Sequence, residues 1–226
     1  MPARGGSKGI PNRNLMPIDG RPLLAYTADA ARHSSRLSRT ILGTDDQRIA
    51  EVARALGIEV SFLRPGALAA DNTPMLPLLR HALDAMRGGG FETDGMVLLQ
   101  PTSPFRRGEH IDAALELLES CRADSVVSVV EVPHQFNPVS VLRFDERRLW
   151  PFLDDAPISR RQDKPQLFFR NGPAVLAVRS AVVRGGSLYG EDCRPLMMRM
   201  ADSIDIDTPF DVKVAEWLLS RRTVGA

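Results

Sequence analysis

"RTILGTDDQRIAEVARALGIEVSFLRP", residues 39–65, decides the class of fold. Its opening, "RTILGTDD" (39–46), is a short apolar run ending in a polar tip, the pattern of a buried strand. "QRIAEVARALG" (47–57) then sets Ile49, Val52, Ala53 and Leu56 on one helical face, and Gly57 supplies the stop. "IEVSFLRP" (58–65) reads as a second strand. Two strands joined by a helix can lie parallel, because the helix carries the chain back to the edge where it started.

The alternation continues along the chain. Helices are expected at 74–90 and 108–121, and strands at 95–100 ("GMVLLQ") and 124–132 ("DSVVSVVEV"). The rhythm breaks from Pro133 to Gly172, a stretch rich in Pro, Phe and paired arginines with weak strand patterns at "VSVLRF" and "QLFFR". It returns with strands "AVLAV" (174–178) and "DSIDID" (202–207) and a helix, "PFDVKVAEWLLSRR" (209–222). This pattern predicts a single α/β domain over residues 1–226 with a mainly parallel sheet, and an inserted arm at about 133–172 that packs against a partner subunit. Ligands of such sheets gather at the carboxyl ends of the strands.

Composition narrows the function. With 226 residues and 43% apolar content the chain can fill one sizeable core, and a net charge of +1 provides no global field for nucleic acid or anionic lipid. Any anion site has to be built locally. Cys121 and Cys193 lie in no metal or redox spacing, no apolar run is long enough to span a bilayer, and a cytoplasmic protein is expected.

Four clusters carry candidate chemistry. In "ARGGSKGIPNRN" (3–14), Gly5 and Gly6 let backbone N–H groups approach an anion, and Arg4, Lys8 and Arg13 can neutralise a polyphosphate; a flexible basic terminus is the plainer alternative. "QPTSPFR" continues the strand at 95–100, offering Gln100, Thr102 and Ser103 between two prolines to hydroxyls of a small polar ligand. In "SIDIDTPFD", a strand would put Asp205 and Asp207 on one face, about 7 Å apart. Like charges so placed require either arginines or a hard divalent cation that bridges them to phosphate oxygens, and the cation is the favoured reading. Asp211 sits where it would cap the following helix. Lastly, "RRQDKPQLFFRNG" gathers Arg160, Arg161, Lys164 and Arg170 beside Asn171, a patch suited to a carboxylate.

The blocks "PARGGSKGIPNRN", "TDDQRIAEVARALGIEV", "FLRPGALAADNTP", "LLQPTSPFR", "RRQDKP" with "NG", and "IDIDTPFD" occur in an order that resembles the acylneuraminate cytidylyltransferases. The likeness covers nearly the whole chain. It implies a Rossmann-like nucleotidyltransferase sheet with a dimerisation arm, in a homodimer that transfers CMP from CTP to an acidic α-keto sugar, releases pyrophosphate and requires Mg²⁺. By the same resemblance Arg4, Gly6, Ser7, Asn14 and Arg64 belong to the nucleotide site, with Arg4, Arg13 and Asp207 acting in catalysis. Gln100, Thr102, Ser103, Arg161 and Asn171 fall to the sugar, and Asp205 and Asp207 to the metal. N-acylneuraminate, legionaminate, pseudaminate and 3-deoxy-octulosonate are the candidate acceptors, and a non-catalytic nucleotide-binding relative is the alternative outside enzymology.

The chain departs from the pattern in three places. Arg13 stands where the family has lysine, Val175 stands near an aromatic position, and the apolar strand expected before "PARGG" is missing. That last difference predicts an unsupported opening loop and a start several codons upstream.

Overall fold

The computed structural model describes residues 1–6, 9–68, 73–153 and 160–222. Two short strands, β1 (Pro17–Ile18) and β2 (Arg21–Pro22), lead into α1 (Leu23–Arg32). The decisive stretch follows. Parallel bridges join Ile41 to Glu59 and Thr44 to Leu63, with α2 (Gln47–Ala55) between them and Gly57 in the left-handed region at φ 76°. Asp46 caps α2 by accepting from the Arg48 N–H at 2.8 Å, and Ile49 and Ala53 face inward as their spacing requires.

The rest of the α/β pattern supplies α3 (Met75–Gly88), β3 (Gly95–Leu98), α4 (Gly108–Ser120) and β4 (Ser125–Glu131). The arm holds a hairpin, β5 (Leu142–Asp145) with β6 (Arg148–Pro151), then β7 (Phe168–Arg170). β8 (Leu176–Arg179), a short helix α5 (Ser180–Gly185), β9 (Cys193–Met197) and α6 (Pro209–Arg222) complete the chain.

The sheet is mixed. β8 lies antiparallel between β3 and β4, β7 pairs antiparallel with the end of β4, and β9 pairs parallel with β4 along its other edge. β3, β4 and β9 therefore share one direction while β7 and β8 oppose it. The reversal follows from the arm, which delivers β7 and β8 without the helical crossover that a parallel strand needs. Both sheet faces are covered. Leu99, Val126, Val175 and Ala177 pack towards α1 and α4, and Leu98, Val127, Leu176 and Val178 pack towards α3 and α5. The near-continuous apolar runs at 95–100, 124–132 and 174–178 are explained by this double burial.

Two expectations are corrected. Residues 202–207 form no strand; a 3₁₀ turn at Met200–Asp202 leads into an irregular segment tied to the rest by Ile206 N donating to Thr102 O at 2.8 Å. The opening loop is not unsupported, because Ala3 N donates to Gly43 O at 3.0 Å and Gly43 N to Met1 O at 2.9 Å. Beyond Met1 a cavity of about 310 Å³ separates Ile41 from β3, which among the described residues pairs only with β8. No helix among the described residues is long and apolar enough to cross a membrane.

Candidate active site

Four segments distant in sequence meet at one end of the sheet. Ile10 from the opening loop, Phe105 after β3, Ile206, and Ala215 of α6 share one buried cluster with Leu23 of α1. Burying these apolar groups is what brings the polar residues between them together.

A cavity of about 220 Å³ is lined by Arg4, Arg13, Asn14 and Arg64 together with Gln100 and Thr102. Asn14 is buried and its Nδ2 donates to Arg4 O at 2.9 Å, which fixes the loop from inside. Gly5 N donates to Asp45 Oδ1 at 3.1 Å, so the polar tip of the 39–46 segment holds the other limb. A Cβ on Gly5 would lie 2.7 Å from Asp46 Oδ2, and only glycine allows this approach. Ser7 and Lys8 lie outside the described residues.

Arg64 is buried and donates to Gly43 O at 2.9 Å, while its Nε has no partner. Burial pulls its pKa below the usual guanidinium value; Asp45 opposes that pull and Arg4 adds to it. Three arginines on one small cavity form a concentrated positive site on an almost neutral protein.

The acids meet this cavity through two of its lining residues, Asp207 through Arg13 and Asp205 through Thr102. Asp207 is exposed and pairs with Arg13, whose Nη1 also donates to Ile206 O at 2.8 Å. A Cβ on Gly9 would fall 2.7 Å from Asp207 O, so loop and acids are in contact. Asp211 Oδ2 accepts from Asp207 N, Thr208 N and Thr208 Oγ1 at 3.1, 2.7 and 2.8 Å, the capping role its position suggested. Asp205 is more enclosed. Burial raises its pKa, the neighbouring Asp207 and Asp211 raise it further, and Thr102 and Arg13 work against them.

Asp205 Oδ1, Thr102 Oγ1 and Ser103 Oγ are all buried without a hydrogen bond of normal geometry. A built Cβ on Gly172 would lie 3.3 Å from Ser103 Oγ and 3.5 Å from Asp205 Oδ2, so these groups border one space. These clustered hard oxygens beside a second carboxylate fit a cation such as Mg²⁺. Among the described residues no three His, Cys, Asp or Glu converge, so such an ion has to complete its shell with hydroxyl, water or phosphate oxygen.

Of the expected sugar residues, Gln100 and Thr102 line the cavity, and Ser103, Asn171 and Arg161 do not; Ser103 is buried beside Gly172. Asn171 is buried with its amide committed internally: Oδ1 accepts from Ser128 Oγ at 2.5 Å and Nδ2 donates to Ser203 Oγ at 2.7 Å. It splices β7, β4 and the acidic segment together. Arg161 stands exposed on the arm. Sequence reading missed Asp45, signalled only by the polar tip "TDD", and Arg106, hidden in an arginine pair.

The cytidylyltransferase family profile matches residues 1–171. A CMP-N,N'-diacetyllegionaminic acid synthase of Legionella pneumophila is 32% identical over 97% of this chain and 94% of its own. An N-acylneuraminate cytidylyltransferase of Escherichia coli is 30% identical over 95% of this chain but only 50% of its own length. The solved structure of a CMP:2-keto-3-deoxy-manno-octonic acid synthetase complexed with CTP superposes with a TM-score of 0.72, covering 98% of this chain and 97% of that one, at 17% identity. At that identity the last likeness concerns the fold.

Proposed function

Since this chain belongs to the cytidylyltransferase family, we propose that it transfers CMP from CTP to the anomeric hydroxyl of a sialic-acid-like α-keto acid sugar. The observation that carries the proposal is the cavity that sets Arg4, Arg13 and Arg64 together with Gln100 and Thr102, with Asp205 and Asp207 at its margin. N-acylneuraminate and legionaminate are the leading acceptors. Legionaminate is favoured by the relative that matches this chain over nearly the full length of both.

Each part of the cavity has a task in that reaction. Arg4, Arg13 and Arg64 neutralise the triphosphate, and the Gly5–Gly6 backbone lets it come close. Gln100, Thr102 and Ser103 hold the sugar so that its anomeric oxygen lines up with the α-phosphorus. That oxygen forms the new bond as the α–β anhydride breaks, pyrophosphate leaves with the electron pair, and the hydroxyl proton passes to water. Mg²⁺ held by Asp205 and Asp207 would supply charge stabilisation for the departing pyrophosphate. Asp211 keeps Asp207 in place by accepting its N–H.

We also infer a homodimer built on the arm. Phe144, Leu149, Trp150 and Phe152 on or beside the β5–β6 hairpin are exposed, as are Phe168, Phe169 and Met197 on the adjoining strands. An apolar surface of that extent supports a covered interface. Unpaired Cys121 and Cys193 and the use of CTP support a cytoplasmic site of action.

The deciding assay is pyrophosphate release with CTP, Mg²⁺ and a panel of α-keto acid sugars, beside Asp207→Ala. No turnover with any sugar, or equal turnover in the variant, would reject the proposal and favour a non-catalytic nucleotide binder. Sedimentation that finds a monomer at micromolar concentration would reject the dimer.

A further inference from the structure

Beneath the sugar side of the cavity lies a cation that the reaction as described does not use. Arg106 is 2% exposed, and among the described residues no carboxylate lies within ion-pair distance of it. Its Nη1 donates to Gln100 O at 3.1 Å and to Ala174 O at 2.6 Å, its Nη2 donates to Thr27 Oγ1 at 2.5 Å, and its Nε has no partner. Burial costs this guanidinium much of its proton affinity, pulling its pKa down to about 9 against the opposing pull of Asp205. A charge kept in such a place needs a reason beyond filling space, since buried arginines are rare and expensive.

The reason lies in what the three acceptors belong to. Thr27 is on α1, Gln100 opens the turn between β3 and α4, and Ala174 begins the run into β8 just after Gly172. Gln100 in turn donates from Nε2 to Gly172 O at 3.0 Å, and Gly172 faces Ser103 and Asp205. One planar fork thus sets the spacing between the Gln100 turn and the Gly172–Ala174 turn, which together form the sugar side of the site. The arginines lining the proposed triphosphate site are on other segments, at Arg4, Arg13 and Arg64.

We propose that Arg106 is a positioning residue for the acceptor sugar, holding Gln100 and Gly172 at the separation that sugar binding requires through the carbonyls of Gln100 and Ala174. The inference rests on the proposed reaction. A lysine in its place keeps a charge but has no rigid fork to span three acceptors. Thr27→Val is the milder perturbation, since it removes one acceptor of the guanidinium and Thr27's own long donation to Gln100 O at 3.5 Å, and leaves the guanidinium in place.

The test uses the full chain with Arg106→Lys and Thr27→Val. Pyrophosphate release gives KM for sugar and for CTP, calorimetry gives CTP affinity without sugar, and amide hydrogen exchange follows residues 100–106 and 171–175. Arg106→Lys should raise the sugar KM about tenfold, with CTP affinity held within about twofold and faster exchange in both turns. Thr27→Val should move the same quantities in the same direction by less. Equal loss of sugar and CTP affinity, or an unchanged sugar KM in both variants, would overturn the proposal, and unaltered exchange in both turns would do the same. Should Arg106→Lys fail to fold, Thr27→Val decides. If the wild-type protein turns over no sugar, the proposed reaction fails, whereas exchange and CTP calorimetry still test what Arg106 holds in place.

Discussion

Arg13 and a metal ion compete for the same carboxylate, and replacing that arginine should therefore tighten metal binding. Arg13 Nη1 pairs with Asp207 Oδ1, the two side chains being 20% and 65% exposed. A pair that open to water contributes about 0.5–1 kcal/mol. An ion binding Asp207 has to displace it and also meets the guanidinium's repulsion, which by Coulomb's law in water at about 6 Å adds about 1 kcal/mol. Together these correspond to about a tenfold change in an equilibrium constant. Arg13→Met should accordingly bind Mn²⁺ about tenfold more tightly than wild type in the absence of nucleotide, measured by water proton relaxation or calorimetry. CTP affinity should fall in the same variant, because one of the three cations lining the proposed triphosphate site is lost. Unchanged or weaker Mn²⁺ binding in Arg13→Met would refute the competition. Unchanged Mn²⁺ binding in Asp207→Asn would refute the ion site itself.

Two loop glycines should separate ligand contact from internal packing. A Cβ at Gly9 meets Asp207 O at 2.7 Å, so Gly9→Ala should displace the loop and cut turnover at least about tenfold. At Gly6 nothing lies within 4 Å, so Gly6→Ala should leave the melting temperature unchanged and weaken only CTP, as calorimetry can read. Asp211→Ala should lose about 1 kcal/mol of stability in urea titration through the uncapped α6, and lose turnover besides, because Asp207 N goes unheld. Asp112 gives a pH signature: burial acts to raise its pKa, but donors from Ser34, Ser35 and Arg36 prevail and hold it down to about 2, against an ordinary 3.8. Its contribution is therefore fully present above pH 3.8 and lost as pH falls through about 2. Asp112→Asn should cost about 1 kcal/mol at pH 7 after allowance for solvent screening, and the difference should vanish in acid denaturation profiles near pH 2.

What the residues reveal before folding depends on whether their partners are near in sequence. α2 and α4 are legible because periodicity and stop signals sit inside the element itself. α1 escapes notice, since Pro22 gives it no side-chain cap and its inward face is mostly alanine. β9, "CRPLM", has no alternation of its own and is a strand only because β4 lies beside it. The alternation in "SIDID" is real but misleading. Two isoleucines there go into a core shared with Phe105 and α6, not into a sheet, and the acids take different exposures: Asp205 half-buried, Asp207 open. The site follows the same logic one level up. Residue types alone mark Arg4, Arg13, Gln100 and Asp207 as candidates for chemistry, yet the contact that holds Asp207 spans 194 positions and no spacing rule reaches that far. Arg106 is the limiting case. Its neighbour Arg107 pairs with the buried Asp202, while Arg106 turns inward to carbonyl oxygens on segments 6 and 68 positions away. Two adjacent identical residues thus take opposite roles, and only the fold distinguishes them.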